Sequence, residues 1–208
     1  MNIVEVLNVS KSFGDKTIFE DYTYQFKKGC FYIIRGESGC GKSTLLNMIG
    51  LLDKPDSGQI CLYGNQVKSI HSKQARLYRK EKLGYVFQNY ALIEDETVYN
   101  NLKLVLPLID KNNDKLISEA LKQVGLENYE NKKIYTLSGG EQQRISIARL
   151  LIKKCEIILA DEPTGNLDKK NSDIIFNVFK YLKDQGKTII MVTHSHVELD
   201  FVDEFIDL

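Results

Sequence analysis

The sequence predicts an α/β protein, a mainly parallel sheet interrupted by a helical segment. Three observations predict it. Short apolar runs, Cys30–Arg35, Glu156–Asp161 and Lys187–Thr193, have the length and composition of strands buried on both faces. A glycine-rich loop, Gly36–Thr44, follows the first run and leads into a helix. From Glu94 to about Arg149 the apolar residues recur at helical spacing instead.

The elements follow in order. Residues 2–9 and 17–26 alternate apolar and polar, as half-buried strands do. The strand at 30–35 and the glycine loop come next, then a helix from about Lys42 to Leu51. Pro55, Ser57 and Gly58 mark a turn before a strand at Gln59–Tyr63, which ends at Gly64-Asn65. Residues 72–82 read as an exposed charged helix, and Gly84–Gln88 as a core strand. In the helical segment Leu116, Ile117, Ala120, Leu121 and Val124 form one stripe. A helix near 169–185 carries Ile174, Ile175, Val178 and Leu182 on one face. A last strand lies near Phe205–Leu208. One domain of residues 1–208 is expected, with 1–88 and 151–208 as its core and about 89–150 as the helical insertion.

Composition narrows the function classes. The 208 residues are 43% hydrophobic and 27% charged, enough for one core in a soluble chain. Twenty-eight Lys and Arg balance 28 Asp and Glu, which gives no overall field for nucleic acid or an anionic membrane. The four cysteines, Cys30, Cys40, Cys61 and Cys155, form no CxxC pair, so free thiols are expected rather than a zinc site. The N-terminus has no signal-peptide pattern, and the best candidate for a membrane span, Leu102–Ile109, is short and carries Lys103 and Pro107. A membrane role would then run through a partner.

Gly36-Glu37-Ser38-Gly39-Cys40-Gly41-Lys42-Ser43 fits G-x-x-x-x-G-K-[ST] throughout, with Thr44 next. Glycines let backbone N–H groups converge on phosphate oxygens without a Cβ in the way. The helix that follows points its positive end at the same oxygens. Lys42 can reach the β- and γ-phosphates, and the Ser43 hydroxyl can ligate Mg²⁺. Asp161 and Glu162 end an apolar strand, where a parallel sheet presents its residues to ligands. Asp161 is a candidate Mg²⁺ ligand and Glu162 a candidate base for an attacking water. An acidic turn is the plainer alternative for that pair taken alone.

Leu137-Ser138-Gly139-Gly140-Glu141-Gln142-Gln143-Arg144 is the second glycine signature. Ser138 with Glu141 three residues on is a capping-box pattern. On local chemistry a well-capped helix is the simpler reading. The octapeptide nevertheless resembles the signature motif of ATP-binding cassette (ABC) transporter ATPases, and the resemblance extends over essentially the whole chain.

That resemblance implies a P-loop NTPase core with a mainly parallel sheet, an N-terminal antiparallel β subdomain and a helical insertion. It implies further roles in the family's order. Phe13 matches the aromatic residue that stacks on adenine. Gln88 matches the glutamine that senses Mg²⁺ and the attacking water. Thr164–Asp168 matches a loop that crosses the dimer interface. His194 matches the histidine at the γ-phosphate. Each has a local alternative: a strand-end aromatic, a strand cap, a helix N-cap at Asp168, a histidine bonded to nearby backbone. His71 and His196 match nothing and read as surface residues.

The resemblance also implies assembly. Two copies would pair head to tail around two ATP molecules. Each ATP would be held by one chain's phosphate loop and, in trans, by the partner's Ser138, Gly139, Gly140, Glu141 and Asp168. An integral membrane permease would be the other partner, placing the chain on the cytoplasmic face. Its groove would lie beside Gln88, with Tyr90, Leu92, Ile93 and Tyr99 as candidate lining. Segments 43–53, 84–90 and 159–168 are most similar to the branch for macrolide export, lipoprotein release and bacteriocin export. The short length and early C-terminus look most like the bacteriocin-export members. Cys40 in place of the usual serine, and Ser195 after His194, depart from the pattern. A regulatory cassette acting through a membrane partner on cell-wall hydrolases would carry the same catalytic residues.

Overall fold

The computed structural model describes residues 1–106, 112–165, 167–194 and 199–208. The first half builds β1 (Asn2–Phe13), β2 (Lys16–Lys27), β3 (Phe31–Arg35), α1 (Lys42–Ile49), β4 (Ser57–Leu62), β5 (Asn65–Gln66), α2 (Lys73–Glu81) and β6 (Leu83–Val86). The second half builds α3 (Val98–Lys103), α4 (Asn113–Gln123), a 3₁₀ turn (Ile134–Thr136), α5 (Gly139–Ile152), β7 (Ile157–Asp161), α6 (Lys169–Asp184), β8 (Thr188–Val192) and β9 (Glu204–Asp207).

These strands form two sheets. One is antiparallel, in the order β2-β1-β4-β5; the other runs β6-β7-β8-β3-β9 with every pair parallel. The parallel sheet separates two cores, because successive side chains on a strand point to opposite faces. Phe31, Ile33, Ile158, Ala160, Ile189 and Met191 face α3–α6. Tyr32, Ile34, Ile157, Leu159, Ile190 and Val192 face α1 and the antiparallel sheet. A continuous apolar run is the signature of a strand covered on both sides, and these strands are.

Most elements lie where the pattern puts them, and the differences have local reasons. The strand expected over 84–88 stops at Val86, and consecutive positive φ at Tyr90 (63°) and Ala91 (48°) turn the chain away after Gln88. On α6 the buried face is Ile175, Val178, Phe179 and Leu182. Ile174 is only half-buried, since the spacing 175, 178, 179, 182 is the one that keeps a single helical stripe. The stripe on α4 holds, with Leu116 half-buried at its edge. All four cysteines are free thiols. Pro107 to Ile109 of the candidate span lie outside the described residues. Among those described, no helix is long and apolar enough to cross a membrane.

Candidate phosphate-loop site

The loop after β3 is shaped around close approaches. Gly36 has φ 149°, and a Cβ there would fall 2.6 Å from the Leu208 carbonyl oxygen and 2.7 Å from Cys40 Sγ. Gly41, at φ 108°, would put a Cβ 2.4 Å from Ile18 Cγ2. It is also the residue from which α1 starts. Only glycine meets both demands, positive φ and no side chain. Glu37, Ser38 and Gly39 at the crest are exposed, with Cys40 and Thr44 partly covered. Lys42 is buried, and its Nζ donates to the carbonyl oxygens of Gly36 and Glu37, both at 2.8 Å. An ammonium thus sits inside the loop that the sequence offers to phosphates.

The carboxyl ends of three neighbouring strands reach the same place. Ser43 Oγ donates to Asp161 Oδ1 at the end of β7 (2.9 Å). Burial pushes the Asp161 carboxyl above its ordinary value; the adjacent Glu162 adds to this, while the Ser43 hydrogen bond and Lys42 oppose it. Glu162 takes φ 46°, an uncommon conformation for a glutamate, and its N–H donates to the Val192 carbonyl of β8 (3.0 Å). Its Oε1 lies 2.8 Å from His194 Nδ1, while its buried Oε2 has no hydrogen-bond partner among the described residues. Gln88, off the end of β6, is exposed. It lines a cleft of about 500 Å³ with Asn47, Asp53 and Asp161, and a narrow crevice with Glu162 and Gln143. Phe13, at the end of β1, is 53% exposed, with Lys11 Nζ 5.0 Å from its ring centre.

The second glycine motif opens α5. Ser138 caps α5 in a complete capping box: its Oγ accepts from the Glu141 N–H, and Glu141 Oε2 accepts from the Ser138 N–H (2.8 Å). The Ser138 hydroxyl also donates to that oxygen (2.9 Å), and Tyr129 Oη donates to Oε1 (2.8 Å). Burial pushes the Glu141 carboxyl up, but these hydrogen bonds and Lys132 outweigh it and hold it below its ordinary value. The buried Gln143 donates to the Pro163 carbonyl (2.8 Å), and Arg144 bonds Asn171. Tyr90 Oη stands 3.1 Å from where a Cβ of Gly139 would lie. Asp168 caps α6 by accepting from the Asn171 N–H (2.8 Å). Among the described residues, no hydrogen bond or ion pair joins Ser138–Arg144 to the phosphate loop, Asp161, Glu162 or His194.

The fold therefore brings Gly36–Thr44, Gln88, Asp161, Glu162 and His194 together, and among the described residues it gives Ser138–Glu141 and Asp168 no hydrogen bond or ion pair to them. Asn166, Ser195 and His196 lie outside the described residues, and His71 is exposed. Of the expected groove residues, Ile93 is exposed, whereas Leu92 and Tyr99 pack on the helical core. Tyr129 leaves no local signal in the sequence, because its contact with Glu141 spans twelve positions. Asn171 stands three residues after the cap Asp168, a spacing that the sequence does show.

A parallel sheet with a phosphate loop after one strand and paired carboxylates ending another is the build of a nucleotide-hydrolysing P-loop ATPase. The chain belongs to the ABC transporter family, whose model matches residues 19–165. It is 43% identical to the lipoprotein-releasing system ATP-binding protein LolD of Rickettsia bellii, over 93% of this chain and 89% of that one. It is 39% identical to the macrolide export ATP-binding/permease protein MacB of Mannheimia succiniciproducens, over 94% of this chain but 31% of that longer protein. Among solved structures it is similar to the dimeric ATP-binding cassette MJ0796 in a post-hydrolysis state with ADP and Pi. That match has a TM-score of 0.84 and 36% identity, over 93% of this chain and 88% of the other. The chain is thus an ATP-binding, ATP-hydrolysing transporter subunit of this family.

Proposed function

We propose that the chain hydrolyses ATP between two of its own copies and so drives a separate integral membrane permease. The observation that carries the reading is Glu162: a strand-end carboxylate in strained backbone, 2.8 Å from His194 and next to the Asp161–Ser43 pair.

In this reading the loop amides of Gly36–Thr44 and the Lys42 ammonium hold the β- and γ-phosphates, and the adenine lies on Phe13. Glu162 accepts a proton from water as the water oxygen attacks the γ-phosphorus and the bond to the β-phosphate oxygen breaks. His194 holds Glu162 in place and stands beside the γ-phosphate. The oxygens of Ser43, Asp161 and Gln88 are hard donors that fit Mg²⁺. One carboxylate and one hydroxyl are enough, because Mg²⁺ completes its shell with water and substrate phosphates. Bound there, the ion neutralises phosphate charge.

The same site is open on one side. Ser138, Gly139, Gly140 and Glu141 lie at a helix start, Ser138 and Gly139 exposed, that makes no hydrogen bond to the chain's own phosphate loop among the described residues, and Asp168 caps another helix. We assign them to the γ-phosphate held by the second copy. Positive charge from one loop neutralises one face of a transferring phosphoryl group; the partner's helix start supplies donors to the other. Residues 1–208 act as one cassette, with about 89–150 carrying that half-site. The permease docks in the groove beside Gln88, and holds the chain at the cytoplasmic face. The wording of residues 43–53, 84–90 and 159–168 supports export or extrusion of a peptide, bacteriocin, antibiotic or lipid-linked cargo.

Glu162→Gln tests the core of this. A positioned base contributes about 10²–10⁴-fold. Turnover should fall by that factor while ATP still binds, and light scattering should find the variant monomeric without nucleotide and dimeric with Mg-ATP. Wild-type turnover would remove Glu162 from the role, and a monomer with Mg-ATP would remove the shared site. Co-purification of the permease from the native host identifies the cargo class.

A further inference from the structure

Lys16 has no part in the site so far, yet its position is specific. It opens β2 directly opposite Phe13, the two being Cα partners at the end of the β1–β2 hairpin. The turn between them uses Gly14 at φ 56°. From there Lys16 Nζ crosses to the phosphate loop and donates to the Gly39 carbonyl oxygen at 3.2 Å. It forms no ion pair among the described residues. An ammonium carries three donors, and the carbonyl takes one.

We infer that Lys16 binds the α-phosphate of the nucleotide. The inference rests on the reading that the base lies on Phe13 and the β- and γ-phosphates in the loop. A nucleotide stretched between these two anchors passes its ribose and α-phosphate along the hairpin edge that Lys16 occupies. Lys42 enters the loop from α1 and is already engaged with Gly36 and Glu37. Lys16 brings a second cation from another element, at the exposed crest residue Gly39. One hairpin end thus carries an aromatic platform and a phosphate contact three residues apart, which fixes the distance between base and phosphate that the site accepts.

The experiment is ADP binding by calorimetry to Lys16→Ala, Lys16→Arg and Phe13→Ala at low and high salt, with melting of each protein without nucleotide. An exposed charge-assisted contact predicts a loss of about five- to ten-fold in K16A, restored to within about two-fold by K16R. The salt dependence of binding should shrink in K16A, and its melting without nucleotide should not change. Unchanged ADP affinity in K16A beside a weakened F13A overturns the inference and keeps the base platform. Lower melting in K16A with unaltered salt dependence makes Lys16 a brace for Gly39, and also overturns it. Normal ADP binding in F13A removes the platform, and the α-phosphate assignment falls with it.

Discussion

The two glycine motifs of this chain share a composition and differ in how they are held. At the phosphate loop, groups are left poised. Lys42 is buried against carbonyl dipoles, Glu162 sits at φ 46° with one oxygen unpaired among the described residues, and burial lifts Asp161. A strained φ of this kind costs about 1–3 kcal/mol. At Ser138–Arg144 the capping box, Tyr129, Pro163 and Asn171 engage Ser138, Glu141, Gln143 and Arg144, while Gln143 Oε1 and Arg144 Nε are buried with no hydrogen-bond partner among the described residues. One end holds a carboxylate in strained backbone; the other is a capped helix start at which Ser138 and Gly139 are exposed. The difference is what is expected if the first half-site must receive a ligand and the second must keep its shape until another copy delivers one.

The largest expected effect separates the two regions most sharply. Ser138→Ala should reduce ATP turnover by about 10²–10³-fold, the cost of losing one donor to developing phosphate charge. ADP affinity of the single chain should not change, and loss of the cap should cost about 1 kcal/mol of stability. Steady-state hydrolysis and calorimetry on one preparation measure both. Weakened ADP binding in the monomer would break the comparison, because it would join Ser138 to its own chain's site. Lys42→Ala should do the reverse. It removes charge-assisted bonds worth about 2 kcal/mol, or roughly thirty-fold in Kd, from nucleotide binding. Unchanged ADP affinity would show that the backbone amides alone hold the phosphates.

How far these regions were legible in the sequence follows the same division. The phosphate loop could be read residue by residue, since G-x-x-x-x-G-K-S encodes a local backbone shape and the strand before it is plain. The capping box at Ser138 and Glu141 was equally legible, but as a helix start and nothing more. Its functional reading came from resemblance, because the group it would act on is not in the same chain. The left-handed backbone of Glu162 was not legible. It arises where β7 meets the Val192 carbonyl of β8, a contact some thirty residues away in sequence. On α6 the apolar pattern includes Ile174, which lies beside the buried stripe, and leaves out Phe179, which lies on it. The apolar run predicts Gln88 inside a strand, but that strand ends at Val86, before the turn at Tyr90 and Ala91.

Asp161 allows a smaller effect to be measured on stability alone. Its carboxyl is raised by burial, so the folded chain binds a proton there more readily than the unfolded chain. Stability from this group is present below the ordinary carboxylate value of 3.8 and is lost as pH rises through the folded one. At neutral pH the ionised Asp161 is therefore a cost. Asp161→Asn should raise the melting temperature at pH 8 relative to wild type by about 2 °C, solvent holding the gain below about 1 kcal/mol. The gain should shrink near pH 4, where wild type is partly protonated. A variant less stable than wild type at pH 8 would mean that the Ser43 hydrogen bond outweighs desolvation, and that this end of the sheet is not strained.

The smallest effect falls on the capping box. Tyr129→Phe removes one hydrogen bond to Glu141 and leaves the two from Ser138. One such bond contributes about 0.5–1.5 kcal/mol. Glu141 is held below its ordinary value partly by Tyr129, so its carboxylate contributes stability that is present above the unfolded value and lost as pH falls through the folded one. The variant should lose less stability on acidification than wild type, because part of that contribution is already gone. It should also show a few-fold weaker ATP-driven dimerisation, since a looser Glu141 lets the Ser138 hydroxyl wander from the interface. A melting loss without weaker dimerisation would make the network a helix start only, and would leave the orientation of Ser138 to the backbone of α5.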